Sequence, residues 1–245
     1  IVELFKQECK EVCGGYLLSS EVNALNKLYS KNSNETFVAI LGGLKVSDKV
    51  NTIENLLKFA DKILIGGAMA YPFLKSRGFD VGNSPYTTED IEIASKLYKM
   101  DKLNKIIPRI DHIIHPVSKK FSKEFSKELI KISDNEIIPL GYEGLDIGPK
   151  TLHLFEKHIE TADKIFWNGP MGLFENDLFS NGTLSIAKMI SNNKNSYSVV
   201  GGGDSVAAIS KLGNVDISHI CTGGGASLEY LSNGRLPGID VLKTQ

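Results

Sequence analysis

The sequence predicts an α/β fold in three layers, a single domain built on a Rossmann-like parallel sheet with helices on both faces. Two observations carry this prediction. Short apolar segments alternate with stretches of helical periodicity along most of the 245 residues, and four of the apolar segments run directly into a glycine pair or triplet. Continuous apolar strands that alternate with amphipathic helices are typical of a parallel sheet that is buried on both sides.

Each of the four glycine runs marks a turn from a strand to a helix. The strands are predicted at FVAIL (37–41), KILI (62–65), YSVV (197–200) and HICT (219–222). The runs that follow them are Gly42–Gly43, Gly66–Gly67, Gly201–Gly203 and Gly223–Gly225. Because helical periodicity follows each run, a unit of strand, glycine turn and helix is repeated four times.

Further elements continue this rhythm. Helices are predicted from Thr88 to about Met100, from Pro149 to about Ile159 and from Gly182 to Ile190, with an acidic first turn or an initial proline supporting the first two. Strands are predicted at NKIIP (104–108), EIIPLG (136–141) and KIFWN (164–168). Since no proline- or serine-rich linker divides the chain, we expect one domain over residues 32–245, preceded by a helical lead over residues 1–31.

Composition excludes several classes of function. The 28 basic and 29 acidic residues nearly cancel, and arginine occurs only at 77, 109 and 235, so no nucleic-acid partner is expected. No apolar run approaches the length of about 20 residues that spans a bilayer, so no membrane association is expected. Cys9, Cys13 and Cys221 match no zinc or redox spacing, and the histidines show no paired-ligand spacing. We expect a cytoplasmic, monomeric protein with reduced thiols.

The glycine turns suggest binding of phosphate. Glycine between a strand and a helix lets backbone N–H groups approach an anion, and the helix N-terminus adds a favourable field. The alternative is that these glycines only permit tight turns. Four runs favour phosphate binding, although the known phosphate signatures are missing: there is no GxxxxGK[ST] sequence, and Val206 and Leu228 stand where a GxGxxG fingerprint needs its third glycine.

Charged residues near these turns are candidates for nucleotide contacts. Lys45 and Lys49 are four residues apart, and would share one face if the segment is helical. Asp204 follows the glycine triplet, where it could either cap a helix or bind magnesium that bridges phosphates. In the loop 167–177, Leu173 could flank a base or belong to the core, and the Glu175 carboxylate could bind a ribose.

Seven segments together resemble the phosphoglycerate kinase family. They are ILGGLKVSDK (40–49), LIGGAMAYPFLK (64–75), GLDIGPKT (144–151), WNGPMGLFE (167–175), VVGGGDS (199–205), HICTGGGASLEYL (219–231) and LPGID (236–240). The match keeps the family's order across nearly the whole chain. It covers only the C-terminal, nucleotide-binding half, which implies that the domain that binds the phosphoglycerate lies outside this chain.

The resemblance implies a role for individual residues. Contact with the transferred phosphoryl group is implied for Lys45, Lys49, Gly203, Gly223, Gly224 and Gly225. Binding of ADP or ATP is implied for Gly43, Lys49, Gly66, Gly67, Gly144, Leu145, Asn168, Gly169, Pro170, Leu173, Glu175, Gly202, Gly203, Asp204 and Ser205. Asp204 would also bind Mg²⁺, which favours that interpretation over the helix cap. Ser205 stands where the family has threonine, and Ala68 where it has a third glycine.

The implied reaction is reversible phosphoryl transfer between 1,3-bisphosphoglycerate and ADP, which gives 3-phosphoglycerate and ATP. Such a transfer depends on positioning and charge neutralisation. Because the phosphoglycerate would bind through the missing N-terminal domain, we expect this chain alone to bind Mg-nucleotide weakly and to turn over poorly. The alternative is an isolated nucleotide-binding module without catalysis.

Overall fold

A parallel six-stranded sheet forms the middle layer of the computed structural model, which describes residues 12–30, 32–117, 125–134, 136–213 and 215–242. The strands are, in chain order, β1 (Phe37–Leu41), β2 (Lys62–Ile65), β3 (Ile106–Pro108), β4 (His112–Pro116), β5 (Lys131–Ser133), β6 (Tyr142–Ile147), β7 (Lys164–Asn168), β8 (Tyr197–Gly201) and β9 (His219–Ile220). The main sheet has the order β3-β2-β1-β7-β8-β9, and its neighbouring strands are all parallel.

Helices cover both faces of this sheet. They are α1 (Tyr16–Tyr29), α2 (Val50–Phe59), α3 (Ala70–Ser76), α4 (Thr88–Met100), α5 (Pro149–Glu160), α6 (Asn181–Asn192), α7 (Gly203–Leu212), α8 (Gly225–Asn233) and α9 (Pro237–Asp240). Single turns of 3-10 helix occur at Ser47–Lys49, Lys127–Leu129 and Asp177–Phe179. Among the described helices, none combines the length and the apolar character needed to cross a membrane.

Alternation along β1 builds the two halves of the core. Phe37, Ala39 and Leu41 pack in one cluster with residues of α1, α2, α4 and α8, whereas Val38 and Ile40 pack in a second cluster with residues of α5, α6 and α7. Every residue of β1 is fully buried, because side chains of successive strand residues point to opposite faces that are both covered. The predicted three-layer α/β fold is therefore confirmed.

A second, smaller sheet was not predicted. β4 pairs antiparallel with β5 on one side and with β6 on the other. The predicted strand at 136–141 is wrong, since Ile138 forms only an isolated bridge with Val81. The strand predicted at 219–222 is shorter than expected, because it ends at Ile220. These segments break the rhythm of strand, turn and helix on which the prediction relied.

Helix α1 is packed into the first core cluster. Leu25 and Leu28 lie in that cluster together with Tyr230 and Leu231 of α8. The hydroxyl group of Tyr29 donates a hydrogen bond to the carbonyl oxygen of Leu231. Part of the expected helical lead over residues 1–31 is thus helical from Tyr16 to Tyr29, while residues 1–11 and 31 lie outside the described residues. The domain boundary at residue 31 stays a prediction.

The strand order reverses between β1 and β7. From β1 the chain builds the sheet outward through β2 and β3, and then returns to the other side of β1 to add β7, β8 and β9. Ligands of open α/β sheets bind outside the carboxyl ends of the strands at such a reversal. All four glycine turns follow the carboxyl ends of strands of this sheet, so they lie at the edge where a ligand is expected.

Candidate functional site

Lys49 lies where the strand order reverses, with its ammonium group next to the carboxyl ends of β1 and β7. Its Nζ atom donates hydrogen bonds to the carbonyl oxygens of Gly42, at 2.6 Å, and Asn168, at 3.3 Å. The residue is only 9% exposed. Burial lowers the pKa of Lys49 to about 8, although the charges of Asp48 and Asp204 oppose that shift. A buried cation is thus held where the two halves of the sheet meet.

Lys45 does not share this environment. It is exposed, and the segment that carries it is an irregular turn that becomes helical only at Ser47. The condition for placing Lys45 and Lys49 on one helical face is therefore not met. Lys45 is available to a ligand that approaches from solvent, whereas the ammonium group of Lys49 is buried under the loops that follow β1 and β7.

The first two glycine turns interlock with the loop after β7. The amide of Gly43 donates to the carbonyl of Pro170 at 2.9 Å, and the amide of Gly67 donates to the carbonyl of Met171 at 2.9 Å. A Cβ atom added at Gly42 would lie 2.1 Å from the Pro170 oxygen. These glycines are therefore required for the close approach of three backbones.

The glycine pairs and the glycine triplets differ in whether their backbone N–H groups are already hydrogen-bonded. The amides of Gly42 and Gly66 also donate to backbone carbonyls, so the first two runs have no free N–H group at these four glycines for a phosphate. The triplets 201–203 and 223–225 instead run into α7 and α8, whose first-turn amides have no acceptor within the helix. The glycine pairs therefore fit the interpretation as tight turns that permit close packing. The glycine triplets fit the interpretation as phosphate-binding turns, because they leave N–H donors for an anion.

The turn into α7 carries three predicted residues, of which Gly202 lies against the side chain of Asn168. Gly202 has φ of +89° and precedes the helix as its N-cap residue, with no side-chain cap. Asp204 is exposed in the first turn and is not the capping residue, so the capping alternative is wrong. Ser205 is buried, and its Oγ atom accepts a hydrogen bond of 2.7 Å from the amide of Gly169.

Asn168 has an unused donor at this turn. The residue is 3% exposed, and its Nδ2 atom is buried without a hydrogen-bond partner among the described residues. A Cβ atom added at Gly202 would lie 3.0 Å from that nitrogen. Since a buried donor that stays unsatisfied costs about 1–3 kcal/mol, Asn168 Nδ2 is suited to a ligand that supplies an acceptor.

A cleft of about 420 Å³ opens beside these groups. Eight of the predicted residues line it: Gly43, Gly67, Gly144, Leu145, Pro170, Leu173, Glu175 and Asp204. Ala68, a position at which the chain departs from the family pattern, also lines it, as does Pro85. Its volume lies within the range of small-molecule sites, and Leu145, Leu173 and Pro170 give it the apolar character that such sites share.

Leu173 and Phe174, adjacent apolar residues in the loop after β7, differ in their exposure. Leu173 is 36% exposed on the cleft wall, and its amide donates to the carbonyl of Leu145 at 2.7 Å. Phe174, in contrast, is buried. Glu175 is exposed at the same wall, so an apolar surface and a carboxylate lie side by side in the cleft.

Arg109 forms a buried part of the cleft wall that sequence reasoning missed. The residue is 1% exposed, its Nε atom donates to His112 Nδ1 at 2.7 Å, and its Nη2 atom donates to the carbonyl of Asp146 at 3.0 Å. The guanidinium carbon lies 4.7 Å from the ring centroid of Tyr71. Burial and then the charge of Arg109 lower the pKa of His112 to about 2, so that ring stays neutral and can accept this bond.

The last glycine triplet does not line this cleft. Gly223 lies instead in a groove of about 220 Å³ between α1 and α8, together with Leu17 and Glu21. The triplet follows β9, two strands away from β7, at the same edge of the sheet. Its assignment to the moving phosphoryl group stays a prediction.

The donor set fits a magnesium-bound polyphosphate. Lys49 supplies a cation, Asn168 an unpaired amide, and the first turn of α7 free N–H groups, which together favour an anion. Asp204 supplies a carboxylate at the cleft, whose lining also includes the carboxylates of Glu143 and Glu175. Mg²⁺ is commonly held by one or two carboxylates plus substrate phosphates, so Asp204 suits this ion when a polyphosphate is present.

Comparison with known proteins agrees with the geometry. The family model described as phosphoglycerate kinase matches residues 2–234. The chain is 45% identical over 231 residues to the phosphoglycerate kinase of Macrococcus caseolyticus, covering 94% of this chain and 56% of the relative. It is 45% identical over 236 residues to that of Staphylococcus haemolyticus, covering 95% and 57%.

Solved structures show the same relationship. The phosphoglycerate kinase of Coxiella burnetii superposes with a TM-score of 0.84 at 35% identity, over 94% of this chain and 58% of that one. The enzyme of Pyrococcus horikoshii OT3 superposes with a TM-score of 0.76 at 30% identity, over 93% and 56%. The chain spans rather more than half the length of these relatives. The resemblance inferred from the sequence is confirmed, and the chain belongs to the phosphoglycerate kinase family.

Proposed function

We propose that this chain is the nucleotide-binding half of a phosphoglycerate kinase. It binds Mg-ADP or Mg-ATP for phosphoryl transfer between 1,3-bisphosphoglycerate and ADP, giving 3-phosphoglycerate and ATP. The observation that supports this most directly is the meeting of Lys49, Asn168 and the first turn of α7 at the reversal of strand order, beside a cleft that Asp204 borders.

The residues divide the work of binding a nucleotide. Gly67, Gly144, Leu145 and Leu173 flank the base, and the Glu175 carboxylate accepts hydrogen bonds from the ribose hydroxyls. Asn168 and the α7 amides donate to phosphate oxygens, while Lys49 contributes positive charge from below. Each of these contacts fixes the nucleotide before the transfer, so that little reorganisation is needed when charge develops.

The remaining predicted residues act on the phosphoryl group. Asp204 would hold Mg²⁺, which when bound neutralises phosphate charge and orients the oxygens. Lys45, exposed on its turn, follows the phosphoryl group, and the free amides at Gly224 and Gly225 receive it. Transfer of this kind requires that water be excluded from the site. In this proposal the missing domain excludes water when it closes over the cleft.

A second candidate is a nucleotide-binding module without catalysis. The observation that favours it is coverage: the chain spans 56–58% of its relatives, so half of the catalytic machinery need not be present. Both candidates bind Mg-nucleotide, and they differ only in turnover. Under either of them the protein is expected to be cytoplasmic and monomeric, and to bind neither nucleic acid nor membrane.

Nucleotide binding is tested by thermal unfolding with and without Mg-ADP. A ligand that binds only the folded state stabilises it by RT ln(1 + [L]/Kd), so the rise in unfolding temperature at a fixed ligand concentration grows with the logarithm of the affinity. Asp204→Asn should weaken Mg-ADP binding at least tenfold, while leaving binding of ADP in EDTA largely unchanged. Asp216→Asn is the matched control, since Asp216 is an exposed aspartate paired with Lys194 on the surface. Equal protection of wild type and Asp204→Asn would contradict the metal assignment.

Catalysis is tested by supplying the missing part. The segment of the Macrococcus caseolyticus relative that precedes the matched region is fused ahead of residue 1, and ATP formation from 1,3-bisphosphoglycerate and ADP is followed. The proposal expects turnover by the fusion and very little by the chain alone. A fusion that binds Mg-ADP and 3-phosphoglycerate but gives no ATP would support the non-catalytic module.

A further inference from the structure

Three side chains with metal-binding atoms meet where α1 crosses the turn after β9. One ligand atom each from Glu21, His219 and Cys221 lies within 4.8 Å of the other two. None of these residues lines the cleft beside Asp204. The cluster therefore belongs to a different place in the fold from the proposed nucleotide site.

Two polar atoms of this cluster lack partners. Glu21 Oε2 and His219 Nε2 are both buried and have no hydrogen bond among the described residues. Glu21 is only 8% exposed. Unsatisfied buried polar atoms are rare in native proteins and need an explanation, of which an ion is one.

The other oxygen of Glu21 is held in place. Oε1 accepts a hydrogen bond of 2.8 Å from the amide of Thr222 and one of 3.1 Å from its hydroxyl group. These bonds fix the orientation of the carboxylate and leave Oε2 without a hydrogen-bond partner among the described residues. Such outer contacts are typical of metal ligands, whose second oxygen or nitrogen is fixed by a neighbouring group.

We propose that Glu21, His219 and Cys221 form a binding site for a borderline-soft divalent transition metal of the Zn²⁺ class. Zinc binds carboxylate oxygen, imidazole nitrogen and thiolate sulfur at about 2.0–2.3 Å, and a water molecule completes a tetrahedral set of three protein ligands. The thiol proton passes to solvent as the metal–sulfur bond forms. A hard ion such as Mg²⁺ is disfavoured, because it prefers oxygen ligands alone.

Openings on both sides of α1 adjoin this cluster. Glu21 lines the groove shared with Gly223, and His219 lines an opening of about 450 Å³ on the other side, next to Ser19, Ser20 and Lys27. Bound metal would join α1 to Cys221, which lies two positions before the glycine triplet 223–225. It would thereby fix the position of that turn relative to α1.

A metal-free arrangement makes a different prediction. In that case Oε1 of Glu21 and Nε2 of His219 face each other at 3.7 Å, and Cys221 is a neutral buried thiol. Burial and then the Glu21 charge raise the pKa of this thiol to about 12, so without metal it stays protonated and reacts slowly with thiol reagents. Metal titration separates the two arrangements.

The test is a Co²⁺ titration of the 245-residue chain, without nucleotide and under reducing conditions. We expect one equivalent to produce a thiolate-to-cobalt charge-transfer band, and Zn²⁺ to displace it. Cys221→Ser should abolish the band, whereas a Cys9→Ser/Cys13→Ser double variant should keep it. Failure of wild type to give the band at one equivalent would overturn the site, as would a band that survives in Cys221→Ser.

Two further variants keep the test decisive if Cys221→Ser does not fold. Glu21→Gln retains an acceptor for Thr222, and His219→Gln retains a polar side chain of similar length. Each should weaken Co²⁺ binding at least tenfold and preserve the charge-transfer band at saturation. Unchanged Co²⁺ affinity in both variants would show that the metal is bound elsewhere.

Discussion

The ammonium nitrogen of Lys49 lies 2.6 Å from the carbonyl oxygen of Gly42. Through this bond and the one to Asn168, a single buried cation joins the loops that follow β1 and β7. No carboxylate lies within 4 Å of this ammonium group in the described part of the chain. Its nearest compensating groups are therefore carbonyl dipoles, with the charges of Asp48 and Asp204 farther away, and it remains available to attract an anion at this edge of the sheet.

Removing this charge should weaken nucleotide binding. Lys49→Met keeps the length and apolar stem of the side chain but not the cation. We expect Mg-ADP affinity to fall at least tenfold, which corresponds to about 1.4 kcal/mol, as measured by calorimetry well below the unfolding temperature. Lys58→Met, which removes an exposed lysine from the last turn of α2, is the control and should bind Mg-ADP as wild type does.

The same lysine should make stability depend on pH. Burial lowers the pKa of Lys49 to about 8 in the folded state, whereas an exposed lysine has a pKa of about 10.4. The folded state therefore binds fewer protons than the unfolded chain between these values, and the free energy of unfolding rises with pH there. The cost of the buried charge is fully present below pH about 8.

Urea unfolding of wild type and Lys49→Met measures this effect. The variant lacks the group, so the difference between the two free energies of unfolding isolates its titration from that of other residues. We expect wild type to gain about 2 kcal/mol on the variant as pH rises from about 7 to about 10. A difference that stays constant over this range would mean that Lys49 titrates as an exposed lysine.

Ser205 should stabilise the loop after β7 through one hydrogen bond. Its hydroxyl accepts from the amide of Gly169 in a fully buried setting. Ser205→Ala leaves that amide without a partner, so we expect a loss of about 1–3 kcal/mol in the free energy of unfolding. Ser205→Thr restores the residue of the family pattern and should lose much less. Equal losses for both variants would point to packing instead of the hydrogen bond.

Gly42 should tolerate no side chain. A Cβ atom at this position would lie 2.1 Å from the Pro170 oxygen and 2.6 Å from the Met171 methyl carbon. Since backbone must move to relieve the first contact, Gly42→Ala should cost about 1–3 kcal/mol or more. Gly15→Ala is the control, because a Cβ there meets nothing within 4 Å. Chemical denaturation of both variants measures the difference, and similar stabilities would disprove the interlocking of these loops.

Much of the fold was readable from local pattern. The strands at 37–41, 62–65 and 164–168 coincide with β1, β2 and β7, because each is a short apolar run that ends at a glycine or a polar residue. The small antiparallel sheet was missed. Its strands β4 and β6 are half-buried and carry histidine, glutamate and aspartate, so they show neither continuous apolar character nor regular alternation.

The candidate site was predicted less evenly. The family motifs identified the residues that line the cleft, yet nothing local distinguished glycines whose amides are already bonded from glycines that open a helix. Arg109 and Asn168 acquire their character from neighbours far along the chain. Glu21 and Thr222, which are 201 positions apart, meet only because α1 packs beside β9.

By itself, then, the sequence determined the layer architecture, the places where strands turn into helices, and the family. These depend on periodicity and on short stretches of contiguous residues, which a chain expresses locally. Tertiary structure alone decided which lysine is buried, which amides remain free and which distant side chains share a site. The physical reason is that burial and hydrogen-bond partners depend on the backbones that pack together, and packing brings together residues that the linear order keeps apart.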